Sequence, residues 1–276
     1  MMRRQLKNAL LRARVPLRGP TVAAAWRGYE YYVSKRAGRD TAAECHGRTL
    51  PPPRLRVLVA GTADRTWFLE TGQAHVDFLR TTLAHAGQPI EEMTSILDFG
   101  CGCGRMLRWW EDLPSGVLHG CDYNRELVDW SQRHLKFATV RGNELSPPLP
   151  YEDASFDLLY ALSIFTHLTT DMAGRWLTEM HRVVRPGGLV WFTAHGKALD
   201  DRLSAAEIAA FDAGEIVVHF PELEGMNVCS TFWPQAGVQR LLGDRFEIVS
   251  RFDPLADPAA SERVRMTHDA YLVRRL

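Results

Sequence analysis

Ile96-Leu97-Asp98-Phe99-Gly100-Cys101-Gly102-Cys103-Gly104-Arg105 joins a short apolar run, Ser95 to Phe99, to a turn in which every second residue is glycine. Glycine reaches positive φ without strain and puts no Cβ between the backbone and a ligand. In an open α/β sheet, ligands bind beyond the carboxyl ends of the strands, where the strand order reverses. A strand, a glycine turn and then a helix therefore make this bend the candidate site. A glycine-rich loop alone is common to many nucleotide sites, so spacing has to discriminate. The dinucleotide fingerprint G-x-G-x-x-G puts its third glycine where this chain has Arg105; here the glycines stand at 100, 102 and 104. Asp98 lies two residues before the first of them. A carboxylate aimed into the bend suits a ligand carrying a cation better than one carrying phosphates.

Working outward, strands and helices alternate. Gly116 to Cys121 reads as the next strand, Glu126 to Leu135 as a helix, Lys136 to Val140 as a brief strand and Phe156 to Leu162 as another, while Arg105 to Trp110 starts the helix after the bend. Asp171 to Val184 carries Met172, Trp176, Met180 and Val183 or Val184 on one stripe, with Thr169 or Thr170 as its cap. Pro186-Gly187-Gly188 stops that helix, and Leu189 to Thr193 is a buried-type strand. Such alternation argues for an α/β fold with a mostly parallel sheet covered on both faces. Upstream, a helix is expected from about Ala74 to Ala86, ended by Gly87, after a short apolar run from Leu55 to Ala60. Pro51-Pro52-Pro53 reads as a stiff linker between an N-terminal arm, 1–50, and the body, 51–276. Residues 197 to 234 look irregular apart from a short helix at Ser204 to Phe211. Gln235 to Leu242 looks helical, and Phe246 to Val249 and Ala270 to Val273 look like closing strands, within 245–274.

The chain has 276 residues and a formal net charge of zero, which argues against a global attraction to nucleic acid. No apolar run approaches the roughly 20 residues of a membrane span. Five cysteines, Cys45, Cys101, Cys103, Cys121 and Cys229, scattered and odd in number, suggest reduced thiols and a cytoplasmic setting. Cys101, Cys103 and Cys121 lack a second ligand pair and read as small residues of a loop and a strand end, with no metal implied. The first forty residues hold Arg3, Arg4, Lys7, Arg12, Arg14, Arg18, Arg27, Lys35, Arg36 and Arg39 against Glu30 and Asp40. This basic arm reads as a pair of solvated helices broken at Pro16 and Pro20, with weak contact to a membrane surface, a nucleic acid or an acidic partner as the functional alternative.

A second acid, Asp122, ends His119-Gly120-Cys121-Asp122-Tyr123-Asn124, twenty-two residues beyond Gly100. It suits a ribose diol, or else a helix cap near Asn124. S-adenosylmethionine, with an ammonium, a sulfonium and a ribose, matches both acids. Together these segments resemble the cofactor motifs of class I S-adenosylmethionine-dependent methyltransferases. Arg141-Gly142-Asn143-Glu144-Leu145 stands where that family reads adenine, Leu149-Pro150-Tyr151 and Ser155-Phe156-Asp157 follow, and Arg185-Pro186-Gly187-Gly188 leads into the fifth strand. The likeness covers about 94–196. It implies a Rossmann-like, mostly parallel seven-stranded sheet with helices on both faces, here with the helical arm and a lid-like insertion at 197–234. It also implies that Asp98, Gly100, Cys101, Gly102 and Gly104 face the methionine part of the cofactor, Asp122 and Tyr123 the ribose, and Asn143 and Glu144 the adenine. Leu162 or Ser163 would line the same pocket. The family more often has Asp where this chain has Asn143, whose amide oxygen can still accept from adenine's amino group.

Methyl transfer is an in-line displacement that gains from positioning in a dry site, and an oxygen or nitrogen nucleophile can also need a base. His167, after the fourth strand, and His195, after the fifth, are the candidate catalytic residues. Ser146-Pro147-Pro148-Leu149 lacks the final aromatic and the position of an adenine-amino motif, and no Pro-Cys dipeptide exists for cytosine-C5 chemistry. A small molecule or glycan is thus the expected acceptor. Phe211, Phe220, Met226, Phe232 and Trp233 are candidates for its pocket or for a satellite core, and Trp67 and Phe68 for core packing or for closing over the cofactor. Two rival readings stand beside this one: a nicotinamide-dependent oxidoreductase, and a non-catalytic cofactor-binding scaffold.

Overall fold

Alternate residues of the central strands feed two hydrophobic layers, and this alternation sets the architecture. The computed structural model describes residues 19–37, 44–45, 48–114 and 117–276. Strand β1 (Ile96–Phe99) sends Ile96 to one layer and Leu97 and Phe99 to the other; β4 (Phe156–Ala161) sends Leu158 and Tyr160 one way and Leu159 and Ala161 the other. Strands buried on both faces belong in the middle of a covered sheet. With β2 (Leu118–Asp122), β3 (Thr139–Gly142) and β5 (Val184–Ala194) they pair in parallel. Strand β9 (Asp269–Arg275) runs antiparallel between β5 and β8 (Phe246–Phe252). The seven-stranded order is β8-β9-β5-β4-β1-β2-β3, so the order reverses between β1 and β4.

Helices α3 (Arg65–His85) and α4 (Arg125–His134) cover one face, and α5 (Thr170–Val183) and α7 (Gln235–Leu242) the other. Their starts are chemically marked. Asn124 accepts from the amide of Glu126, and Thr169 from that of Met172. In α6 (Ala205–Asp212) Ser204 and Glu207 form a reciprocal capping box. The helix at Gln235–Leu242 falls where the sequence puts it. Strand β2 starts two residues later than expected and β3 three residues later.

Several expectations are corrected. No α-helix follows the bend: turns run on to a single 3-10 turn at Leu107–Trp110. In this segment the Arg108 guanidinium donates to the carbonyls of Cys103, Gly104 and Thr49 and ties the turns to the N-terminal side of the body. Helix α3 begins nine residues before the expected Ala74, capped by Asp64, and its first half buries Phe68 and Leu69 in the core beside a close approach at Gly72. A Cβ there would lie 2.3 Å from the carbonyl oxygen of Arg105. Pro53 is not linker but the first residue of α2 (Pro53–Ala60), a position that needs no N–H partner. Strand β5 already begins at Val184, since α5 stops at Val183, and Gly187 in it has a φ of 74°.

The last third is more regular than expected. It contains a three-residue antiparallel pair, β6 (Val217–His219) and β7 (Ser230–Phe232), and α8 (Pro258–Val264) between the closing strands. Phe211 and Phe232 fill a small satellite core with Leu199, and Trp233 joins the main core. In the N-terminal segment, α1 (Gly19–Arg36) holds Pro20 in its first turn, and Val22 and Trp26 are buried with Val228. This part of the arm is docked on the body rather than solvated all round. Arg3, Arg4, Lys7, Arg12, Arg14, Pro16, Arg18, Arg39 and Asp40 lie outside the described residues. No described helix is long and apolar enough to cross a membrane.

Candidate functional site

The bend after β1 is rigid because its backbone is tied from several sides. The amides of Gly100 and Cys101 both donate to the Cys121 carbonyl, at 2.8 and 3.0 Å. Gly102 donates to Asp122 Oδ2 at 2.9 Å, and its carbonyl accepts from Ser131 Oγ at 3.0 Å. Gly100 and Gly102 have φ of 75° and 54°, and a Cβ on either would meet Ile164 at 2.1 Å or Val59 at 2.6 Å. Backbone conformation and free space both demand glycine here. The bend opens on a cavity of about 610 Å³.

Two carboxylates flank it, and both are buried. Burial pushes Asp98 up to about 8; the Tyr160 hydroxyl, itself accepting from Trp110 Nε1, opposes this, and Asp122 adds to it. Burial also pushes Asp122 up to about 6, against the amides of Asn124 and Gly102, which donate to its two oxygens. The protein thus holds two acids whose ionised forms lack an internal cation strong enough to restore their ordinary range. A cationic ligand would supply one. The alternative role for Asp122 is partly realised: Asn124 caps α4, and Asp122 orients Asn124.

Most of the expected site residues border one cavity. Asp98, Gly100, Cys101, Gly102, Asp122, Tyr123, Asn143, Glu144, Leu162, Ser163, His167 and His195 all line it. Gly104 does not. Its φ of 69° closes the turn against Leu135. The Glu144 carboxylate is exposed beside Arg125 at 3.7 Å, while its carbonyl accepts from Asn143 Nδ2 at 2.7 Å. Asn143 is buried, and its Oδ1 has no hydrogen-bond partner. A donor such as an adenine amino group would satisfy it, so the residues present fit S-adenosylmethionine at both ends: acids and a glycine-rich cradle for the charged end, and an amide acceptor for the base. Trp67 lines the cavity, whereas Phe68 is wholly core. Of the five apolar residues expected in the insertion, only Met226 reaches the cavity.

Beyond β4 and β5 the lining is imidazole-rich. His167 Nδ1 lies 2.7 Å from the Cys229 carbonyl and must therefore donate, which leaves the lone pair of the neutral ring on Nε2. The rings of His167 and His195 are 6.3 Å apart, and those of His195 and His268 4.9 Å. Ser163, with a φ of 60°, donates its amide to Thr193 Oγ1 and sets its hydroxyl 3.2 Å from His268 Nδ1. A roof spans the cavity: Tyr123 OH donates to the Gly225 carbonyl, Gly225 N to the His167 carbonyl, and Asn227 Nδ2 to the Leu58 carbonyl. Sequence reasoning missed His75, Arg202, His268 and the Leu58–Ala60 wall. The one available signal was topological, since a closing strand that runs antiparallel starts at the same sheet edge where β4 and β5 end.

Cys101, Cys103 and Cys121 are buried thiols whose pKa burial drives upward, and no described group of His, Cys, Asp or Glu has the arrangement of a metal site.

Comparison with known proteins agrees with this geometry. Residues 97–192 match the family model described as a methyltransferase domain. Malonyl-[acyl-carrier protein] O-methyltransferase of Pseudescherichia vulneris is 34% identical over 132 residues, which are 42% of this chain and 49% of that protein. The chain therefore matches about half the length of this curated relative. An S-adenosylmethionine-dependent methyltransferase from Mesorhizobium loti superposes with a TM-score of 0.52 at 17% identity, covering 71% of this chain and 96% of that one. The magnesium protoporphyrin IX methyltransferase of Synechocystis PCC 6803, with bound S-adenosylhomocysteine, gives 0.50 at 16% identity, covering 76% and 86%. These two likenesses carry the fold.

Proposed function

With residues 97–192 belonging to the class I, Rossmann-like, S-adenosylmethionine-dependent methyltransferases, we propose that the whole chain transfers a methyl group to a small-molecule or glycan acceptor, at an oxygen or nitrogen atom. The observation that carries this reading is one cavity bordered by a glycine-rich bend, two buried carboxylates with raised pKa and an unsatisfied amide oxygen. In this reading Asp98 and the bend hold the methionine end, Asp122 and Tyr123 the ribose, and Asn143 the adenine, with Leu162 and Ser163 alongside. When bound, the cofactor supplies a methyl group on a positively charged sulfur. The chain's own part is to hold the acceptor in line and keep water out, which the roof from Tyr123 to Leu58 serves. His167 Nε2 accepts the acceptor's proton, because Nδ1 is committed to the Cys229 carbonyl. His195, almost fully buried between His167 and His268, orients that proton's path.

The test has two readouts. Titration of the purified chain with S-adenosylhomocysteine should show one tight site. Release of S-adenosylhomocysteine from S-adenosylmethionine across a panel of hydroxyl and amine acceptors should then identify a substrate. His167→Asn should bind S-adenosylhomocysteine normally and lose about 10²–10⁴-fold in turnover. Turnover at the wild-type rate in that variant would remove His167 from the chemistry.

A further inference from the structure

The outward face of α1 is unlike that of an ordinary solvated helix. Val22, Ala23 and Trp26 are buried on the inner side, and Trp26 Nε1 donates at 2.9 Å to Glu30, the only acid of the helix. On the outer side Ala24, Ala25 and Gly28 are exposed, and Tyr31 and Tyr32 keep 62% and 48% of their surface in water. A spacing of four residues aligns each ring with a cation one turn on. Lys35 Nζ stands 5.5 Å from the centre of the Tyr31 ring, and Arg36 Nη1 donates to Tyr32 OH at 2.9 Å. Arg27, one turn before Tyr31, is exposed and also borders the cavity. A water-facing stripe ordinarily mixes charges of both signs. The exposed residues of α1 are small, aromatic or basic, and none is an acid.

The elements packed on α1 add little negative charge. Helix α2 carries Arg54 and Arg56 and no acid, and Arg54 pairs with Glu126 at 2.7 Å. Glu222 lies against Gly19, at the end of α1 opposite to Lys35 and Arg36. Upstream, Arg3, Arg4, Lys7, Arg12, Arg14 and Arg18 precede the helix with no acid among them, in a chain whose net charge is zero. Positive charge is therefore concentrated at this end of the sequence.

We propose that the outward face of α1 docks the protein on an anionic lipid surface, with its cations on headgroup phosphates and its tyrosine rings at headgroup depth. Basic residues near such a surface are drawn by its negative potential, and tyrosine favours the boundary where one end of the ring is apolar and the other wet. Ala24, Ala25 and Gly28 decide for lipid over an acidic protein or a nucleic acid. They offer no donor to a phosphate backbone and no anchor for a protein pocket, yet they enter a headgroup layer at little cost. The cavity opens on the same side as Arg27, and its lining includes the exposed side chains of Trp67, Tyr123 and Leu145. The docking does not depend on the methyltransferase reading.

The test sediments the full chain with vesicles of phosphatidylcholine alone and of phosphatidylcholine mixed with phosphatidylglycerol. The partition coefficient should be about tenfold or more larger for the anionic vesicles and should fall as salt is raised. Lys35→Glu combined with Arg36→Glu should cut binding to the anionic vesicles about tenfold or more. Tyr31→Ser combined with Tyr32→Ser should weaken it about threefold or more and leave its salt dependence unchanged. Both double variants should keep the wild-type melting temperature, because the four side chains are exposed. Equal partition into neutral and anionic vesicles would overturn the proposal, as would a charge-reversed variant that melts like the wild type and binds as before. Saturable binding of polyglutamate or duplex DNA by a chain that ignores both vesicles would also overturn it, and would assign the face to an acidic protein or a nucleic acid. The wild-type comparison decides even if a variant fails to fold.

Discussion

Raising the pH from 6 to 8 should tighten cofactor binding, and the buried pair of acids sets by how much. Asp98 sits at about 8 and Asp122 at about 6, with burial the main cause for each. At pH 6 the Asp98 carboxyl is then ionised in only about one molecule in a hundred, at pH 7 in about one in ten and at pH 8 in half. A ligand whose cation requires that carboxylate must expel the proton as it binds. The association constant should therefore climb about tenfold from pH 6 to 7, rise further to pH 8 and flatten above it. Calorimetric titration with S-adenosylhomocysteine in buffers of different ionisation enthalpy counts the released proton directly. Near pH 6.5 about one proton should leave per ligand bound. In Asp98→Asn the profile should lose its upper rise and keep only the inflection of Asp122 near 6. An affinity flat between pH 6 and 8 in the wild type, with no proton released, would refute the idea that Asp98 meets a cation.

Other consequences are simpler to read. Gly100→Ala places a Cβ 2.1 Å from Ile164 Cδ1 on a residue with a φ of 75°, so it should cost about 1–3 kcal/mol of stability and abolish S-adenosylhomocysteine binding; melting and calorimetry check this, and unchanged values would show that the bend tolerates a side chain. Asp122→Ala should weaken cofactor binding by about 1–3 kcal/mol and lower the melting temperature too, because Gly102 and Asn124 lose their acceptor. Truncating Trp26, buried with Val22 and Val228, should cost about 3–5 kcal/mol locally and speed amide exchange in α1 while the central sheet stays protected.

The parts of the fold that could be read from the sequence are those where side-chain chemistry repeats with the backbone period. Thr169 with Met172, Trp176 and Met180 marks α5 because cap and buried stripe agree. The bend was legible because two of its glycines have neither the conformation nor the room for anything else. The helix expected after it was not realised; the Arg108 guanidinium there ties the turns to the Thr49 carbonyl, a long-range contact that no local propensity reports. The first half of α3 is harder to read because Thr71, Gly72 and His75 interrupt its buried stripe between Phe68–Leu69 and Val76, with Gly72 packed by close approach to the Arg105 carbonyl. His167 and His195 follow strands and were found by their position. His268 precedes an antiparallel strand and joins them only once β9 is inserted beside β5.

The central claim is that the bend between Asp98 and Asp122 receives a positively charged sulfur nucleoside rather than a dinucleotide. Parallel titrations of the purified chain with S-adenosylmethionine, S-adenosylhomocysteine and NAD test it most directly. One saturable site for the two sulfur nucleosides, lost in Gly100→Ala, and no site for NAD is the predicted result. Saturable binding of NAD with none of either nucleoside would contradict it.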